Sequence, residues 1–173
     1  SSTTTAQQNV AIGRHAMKAA TSAANNVSVG YLAGTAITTG ERNVIMGHEA
    51  ARAANTMNYS TVLGNNAANS ASGAANIVVI GRNAGYHVSG NANTFVGTNA
   101  SLGGSSLGHA GTESVAVGYN AMYYNSSASY NVAVGAKAAQ GASAGFTGDQ
   151  NVAIGYQALY VATSAKQSVV IGY

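Results

Sequence analysis

The chain has 173 residues, 6% of them charged, and a net charge of +3 carried by Arg14, Lys18, Arg42, Arg52, Arg82, Lys137 and Lys166. These cations are scattered, which sets aside nucleic-acid binding through a basic patch, and the lack of cysteine excludes a disulfide framework and thiol chemistry. No apolar run approaches the roughly 18 residues of a membrane-spanning helix, so membrane insertion is not expected.

Residues 1–8 are polar and Thr-rich and read as a lead-in to a repeat. Its first copy is Asn9-Val10-Ala11-Ile12-Gly13-Arg14-His15-Ala16. Later copies are Asn26-Val27-Ser28-Val29-Gly30-Tyr31-Leu32-Ala33, Asn131-Val132-Ala133-Val134-Gly135-Ala136-Lys137-Ala138 and Asn151-Val152-Ala153-Ile154-Gly155-Tyr156-Gln157-Ala158. The repeat glycines are Gly13, Gly30, Gly47, Gly64, Gly81, Gly97, Gly118, Gly135, Gly155 and Gly172, at successive spacings of 17, 17, 17, 17, 16, 21, 17, 20 and 17. A fixed period of this kind is the signature of a stacked-repeat architecture. The whole chain, 1–173, reads as one repeat domain.

In each unit a large aliphatic precedes the glycine, and Val or Thr stands two residues before that. This alternation is the period of a β-strand and places both residues on one face. That face is expected to form the dry core, built from Val10 and Ile12, Val27 and Val29, Val44 and Met46, Val78 and Ile80, Val115 and Val117, Val132 and Val134, Val152 and Ile154, and Val169 and Ile171. Each such side chain contributes roughly 1.5–3 kcal/mol when buried. The residue between them is also mostly apolar but often small (Ala11, Ser28, Ala116, Ala133, Ala153), so the second face needs cover too. Ile77-Val78-Val79-Ile80 is the most apolar strand and is expected to be the best buried.

Three residues after the glycine an alanine recurs: Ala16, Ala33, Ala50, Ala67, Ala84, Ala100, Ala121, Ala138 and Ala158. Fixed glycine followed by fixed alanine predicts a tight bend that closes on itself. Asn or Ser stands just before most strands (Asn9, Asn26, Asn43, Ser60, Asn93, Ser114, Asn131, Asn151, Ser168), where the side chain bonds nearby backbone and would ladder between coils. About 17 residues is too short for a βαβ unit, which takes roughly 30 or more. The fold class is therefore all-β: a parallel β-solenoid or β-roll of about ten coils, stacked at about 4.8 Å into a rod on the order of 45–50 Å long.

Two returns are longer. One runs from Ser101 to Glu113 and contains Gly103-Gly104-Ser105-Ser106; the other runs from Gln140 to Gln150 with Gly141, Gly145 and Gly148. Insertions in solenoids map to one edge, where they either carry contacts or are tolerated extra length. Tyr119, Tyr123, Tyr124, Tyr130, Tyr156 and Tyr160 enrich the C-terminal half and form a candidate contact surface, or else cover the coil corners. The repeat stops mid-unit at Tyr173 and neither end carries an atypical cap. The expectation is a segment of a longer fibre or a subunit that stacks end to end, with no secretory leader in view.

No enzymatic chemistry is expected. Glu41 and Glu49 are not placed as a general acid and base, and His15, His48, His87 and His109 lack metal-ligand spacing. No Ser/His/Asp geometry or phosphate loop stands out. Catalytic, cofactor and metal sites are all read as none.

The array of Asn-Val-Ala-Ile-Gly-x-x-Ala units resembles the head repeats of trimeric autotransporter adhesins, which read close to Asn-Ser-Val-Ala-Ile-Gly. Val152-Ala153-Ile154-Gly155-Tyr156-Gln157-Ala158-Leu159-Tyr160 is similar to the Asn-Thr-Ala-Val-Gly-Tyr-Gln-Ala-Leu repeats of phage tail-fibre-like proteins. The resemblance covers nearly the whole chain. It implies a left-handed parallel β-roll assembled as a side-by-side homotrimer, with the small middle residues Ala11, Ala116, Ala133 and Ala153 towards the shared axis. The function so implied is a structural fibre segment on a cell or virion surface, acting in attachment or host recognition through a glycan or protein receptor. The alternative is a subunit of an extracellular filament that polymerises by coil stacking. An ice- or surface-binding solenoid would need a flat threonine array, whereas Thr falls at matched strand positions only at Thr61 and Thr94.

Overall fold

The computed structural model describes residues 5–103 and 108–173. Residues 1–4 of the lead-in and 104–107 of the first long return lie outside the described residues. Ten three-residue strands follow one another: β1 Val10–Ile12, β2 Val27–Val29, β3 Val44–Met46, β4 Thr61–Leu63, β5 Val78–Ile80, β6 Thr94–Val96, β7 Val115–Val117, β8 Val132–Val134, β9 Val152–Ile154 and β10 Val169–Ile171. They form one parallel sheet in sequence order. Each strand pairs with the next in strict repeat register: Val10 opposite Val27, Val62 opposite Val79, Ala133 opposite Ala153. The chain is a β-solenoid with a period near 17 residues, as the repeat predicts, its ten strands making about nine turns where about ten were expected.

The stack is hydrogen-bonded on more than its strand side. Met17 N donates to Ala33 O at 3.0 Å, Ala51 N to Ala67 O at 2.9 Å and Met122 N to Ala138 O at 2.9 Å, so the returns also climb coil on coil. Three residues per coil take the left-handed conformation, seen for Leu32, Arg42 and Ala51 and their equivalents, and these bends let so short a segment close. The repeat glycines have φ between 122° and 141°, and from Gly13 to Gly155 a Cβ added at each would run into the next coil's glycine backbone.

The strand faces are the reverse of the expectation. The middle residue of every strand from β2 to β9 is buried: Ser28, Ile45, Val62, Val79, Phe95, Ala116, Ala133 and Ala153. The flanking residues face out, and not one is buried: Val10, Ile12, Val27, Val29, Val44, Met46, Val78, Ile80, Val115, Val117, Val132, Val134, Val152, Ile154, Val169 and Ile171 line the outside. The same holds within Ile77-Val78-Val79-Ile80, where Ile77 and Val79 are fully buried and Ile80 is 36% exposed. Ala116, Ala133 and Ala153 therefore lie inside their own chain and do not face an axis; Ala11, on the first coil, is exposed.

The reason is volume. A coil of this size holds one strand side chain plus a few from its return, so the inward row must vary in size to complement what it meets. Ile45 and Val62 share their coils with Ala54 and Ala71, whereas Ser28 and Ala133 share theirs with Ile37 and Phe146; all eight are fully buried. The buried aliphatics, alanines and Phe residues make one continuous core along the rod.

The Asn/Ser row also lies inside and forms the expected ladder. Asn26 N and Nδ2 both donate to Asn9 Oδ1 at 3.0 Å. Asn43 repeats the pattern on Asn26 Oδ1, and Ser60 N donates to Asn43 Oδ1 at 3.0 Å. The row is interrupted by Ile77 and resumes from Asn93 through Ser114, Asn131 and Asn151 to Ser168. These amides satisfy backbone groups that an all-apolar interior would leave without partners.

Candidate functional site

Two surface features stand out. The first is the outward strand face, a double row of aliphatic side chains across all ten strands, broken by threonine only at Thr61 and Thr94. Monomeric soluble proteins rarely expose contiguous apolar patches beyond a few hundred Å². Beside this face, the residue after each glycine forms a stacked row at one end. Arg14 lies over the Tyr31 ring at 5.9 Å, and Tyr31 stacks on His48 at 5.1 Å.

The second feature is a cleft of about 370 Å³ on the return side, lined by Asn83, Tyr86, His87, Leu102, Gly103, Tyr123 and Tyr124. It spans three coils. Tyr86 and His87 stand five and six residues after Gly81, Leu102 and Gly103 the same distances after Gly97, and Tyr123 and Tyr124 the same after Gly118. Backbone bonds hold this register: His87 N donates to Leu102 O at 3.3 Å and Gly103 N to Tyr123 O at 3.1 Å. Each wall is an edge-to-face aromatic pair, Tyr86 on His87 with ring centres 4.6 Å apart and Tyr123 on Tyr124 at 4.7 Å. Asn83 starts an exterior amide ladder, donating to Asn99 at 3.2 Å, and Asn99 donates to Asn120 at 3.0 Å.

Among the described residues no formally charged side chain lines the cleft. Burial lowers the pKa of His87, which favours its neutral imidazole. Burial, with smaller contributions from Tyr124 and Tyr119, raises the Tyr123 phenol, so it stays a protonated donor.

Of the expected contact tyrosines, the fold brings Tyr123 and Tyr124 together in this cleft. Tyr119 neighbours Tyr123 without lining the cleft and Tyr130 stands apart, each 53% exposed, while Tyr156 stacks on Tyr173 and Tyr160 lies beneath Lys137. Sequence reasoning passed over Asn83, Tyr86 and Leu102 and weighed His87 only as a metal ligand. The signal was available: aromatic residues share one offset from the repeat glycine in the two coils that flank the first long return.

No family model, curated protein or solved structure matches this chain.

Among the described residues no group of three or more His, Cys, Asp or Glu side chains gathers as metal ligands. Glu41 pairs with Arg42 at 3.0 Å, and Glu49 with Arg52 at 3.8 Å. His109 is fully buried, against Phe95 and with Nδ1 at 2.8 Å from Ser101 Oγ. Desolvation lowers its pKa to about 4, against a smaller raising effect of the Gly111 backbone.

A folded pKa below the unfolded 6.5 means that the unfolded chain binds the proton more tightly. Stability is then fully present above about pH 6.5 and falls as pH drops towards 4. The loss between pH 7 and pH 4.5 amounts to about 2 kcal/mol. Denaturant titrations at these two pH values should show it, and the His109→Gln variant should flatten the slope.

Proposed function

We propose that this chain is a segment of a surface-exposed fibre that acts in attachment or host recognition, with three copies packed side by side along their strand faces. The observation that carries the reading is the outward aliphatic double row, which runs the length of the rod without a charged residue among its strand positions. Left in water, such a face costs roughly 25 cal/mol for each Å² of apolar surface. Among the described residues no further element lies over it, whereas a second and third copy would supply matching rows at the same spacing. The resemblance to adhesin-head and tail-fibre repeats supports the same assembly, with one change. The shared surface is the flanking pair, exemplified by Val78 and Ile80, and the middle residues stay within each chain.

A stiff hydrogen-bonded rod with variable side chains at its corners suits presentation of contacts away from an anchoring surface, which supports an extracellular, cell-surface or virion-surface placement. Mass photometry of the purified chain is the test, with a discrete particle of three times the 17.1 kDa chain mass expected. Joint replacement Val78→Lys with Ile80→Lys should convert it to single chains that retain β-sheet circular dichroism. A stable lone rod in the wild type would overturn the side-by-side assembly, and open-ended growth with concentration would point to end-to-end stacking.

A further inference from the structure

From the return-side cleft we infer a binding site for a neutral saccharide, with one pyranose ring held between two aromatic walls. This names a ligand class for the attachment reading above and rests on it.

Coil spacing sets the width of the site. At the sixth position after the repeat glycine, the coils on either side carry His87 and Tyr124, and the coil between them carries Gly103. Gly103 has no side chain to place between them and lines the cleft with both. Parallel coils stand about 4.8 Å apart, so the walls rise from backbones separated by roughly 9–10 Å. A flat ring in van der Waals contact with both walls needs about 7–8 Å. The gap between these two side-chain positions is therefore one ring thick, and Leu102 lines the cleft from the middle coil.

Its chemistry is that of a sugar's two aspects. The axial C–H faces of a pyranose are weakly apolar and pack on aromatic rings; its edge presents hydroxyls that need donors and acceptors. The cleft offers aromatic rings for the first, and the Tyr hydroxyls, the His87 imidazole and the Asn83 amide for the second. Among the described lining residues none is charged to balance an anionic or cationic ligand, so a neutral glycan fits better than a phosphorylated or sulfated one. The volume falls near the lower end of ligand pockets, roughly 300–1,000 Å³, and admits a mono- or disaccharide.

The test is saturation-transfer-difference NMR on the assembled protein with methyl glycosides of glucose, galactose, mannose and N-acetylglucosamine as separate probes. Transfer to the ring protons of at least one probe is expected. Tyr86→Ala and Tyr124→Ala should each weaken it about tenfold or more, while Tyr130→Ala, on an exposed tyrosine outside the cleft, leaves it unchanged. Leu102→Trp, which fills the gap and spares every wall residue, should also abolish transfer, so the outcome does not hang on one variant's folding. No transfer to any probe, or transfer that survives both tyrosine substitutions, overturns the saccharide site. These outcomes are independent of particle mass: a trimer without transfer removes the cleft proposal and leaves the fibre reading, and a lone rod that binds sugar does the reverse.

Discussion

Gly64→Val should lower the stability of the rod by about 2–6 kcal/mol, the largest loss expected from any single substitution here. Gly64 has φ of +136°, outside even the small left-handed region that Asn and Asp tolerate. A Cβ built there would lie 2.6 Å from the carbonyl oxygen of Gly81 and 2.8 Å from its carbon. Both are backbone atoms, fixed because Gly64 N donates to Met46 O and Gly81 N to Leu63 O, each at 2.8 Å. Relief requires parting two coils along a hydrogen-bonded ladder. The backbone strain costs about 1–3 kcal/mol, and the forced overlap about 1–3 kcal/mol more. Against a total of roughly 5–15 kcal/mol, that is a decisive fraction. Solenoid coils contact only their neighbours, so the damage should be local at first. Limited proteolysis should gain a cleavage site near the coil boundary, ahead of any change at β9. Gly73→Asn is the control: Gly73 has φ of +73°, a Cβ added there would meet nothing within 4 Å, and its replacement should be close to neutral.

The same glycine row made the fold legible. Ten glycines at near-constant spacing, each after a Val/Thr-x-aliphatic triplet, leave few architectures except stacked parallel strands, and β1 to β10 fall on those triplets. The parity of the strand was not legible in the same way. Val78, Val79 and Ile80 are all aliphatic, so hydrophobicity does not distinguish inside from outside. Constancy of the flanking pair looked like a core, but a narrow interior rewards compensation. In four coils the buried position trades size with the return: Ile45 and Val62 sit with Ala54 and Ala71, Ser28 and Ala133 with Ile37 and Phe146. A row uniform in size suits repeated contact with identical copies. The cleft was half legible: the tyrosines drew notice as a C-terminal group, yet only stacking at a common offset joins Tyr123 and Tyr124 to Tyr86 and His87, far away in sequence.

Gly64 tests how closely the coils approach; Asn43 tests what joins them inside. Asn43→Leu should lower stability by about 2–5 kcal/mol, because it strips two buried main-chain groups of their partners at about 1–3 kcal/mol each. Asn43 is 1% exposed. Its Nδ2 donates to Met57 O at 2.7 Å and to Asn26 Oδ1 at 2.9 Å, and its Oδ1 accepts from Ser60 N at 3.0 Å. Leucine keeps the volume and none of these bonds. The row already accommodates a branched aliphatic at Ile77, so size alone does not account for the loss. Asn43→Asp separates the roles further. The carboxylate keeps an acceptor for Ser60 N but loses the donor to Met57 O, and it would be charged in a dry interior. Its folded pKa should therefore rise above the unfolded value near 3.9, so this variant, unlike the leucine one, should regain stability as pH falls through that raised value. Urea titrations of both variants at pH 7 and pH 5 would measure the difference. Equal losses at both pH values would mean that the row contributes by packing, and the ladder would lose its place as the joint between coils.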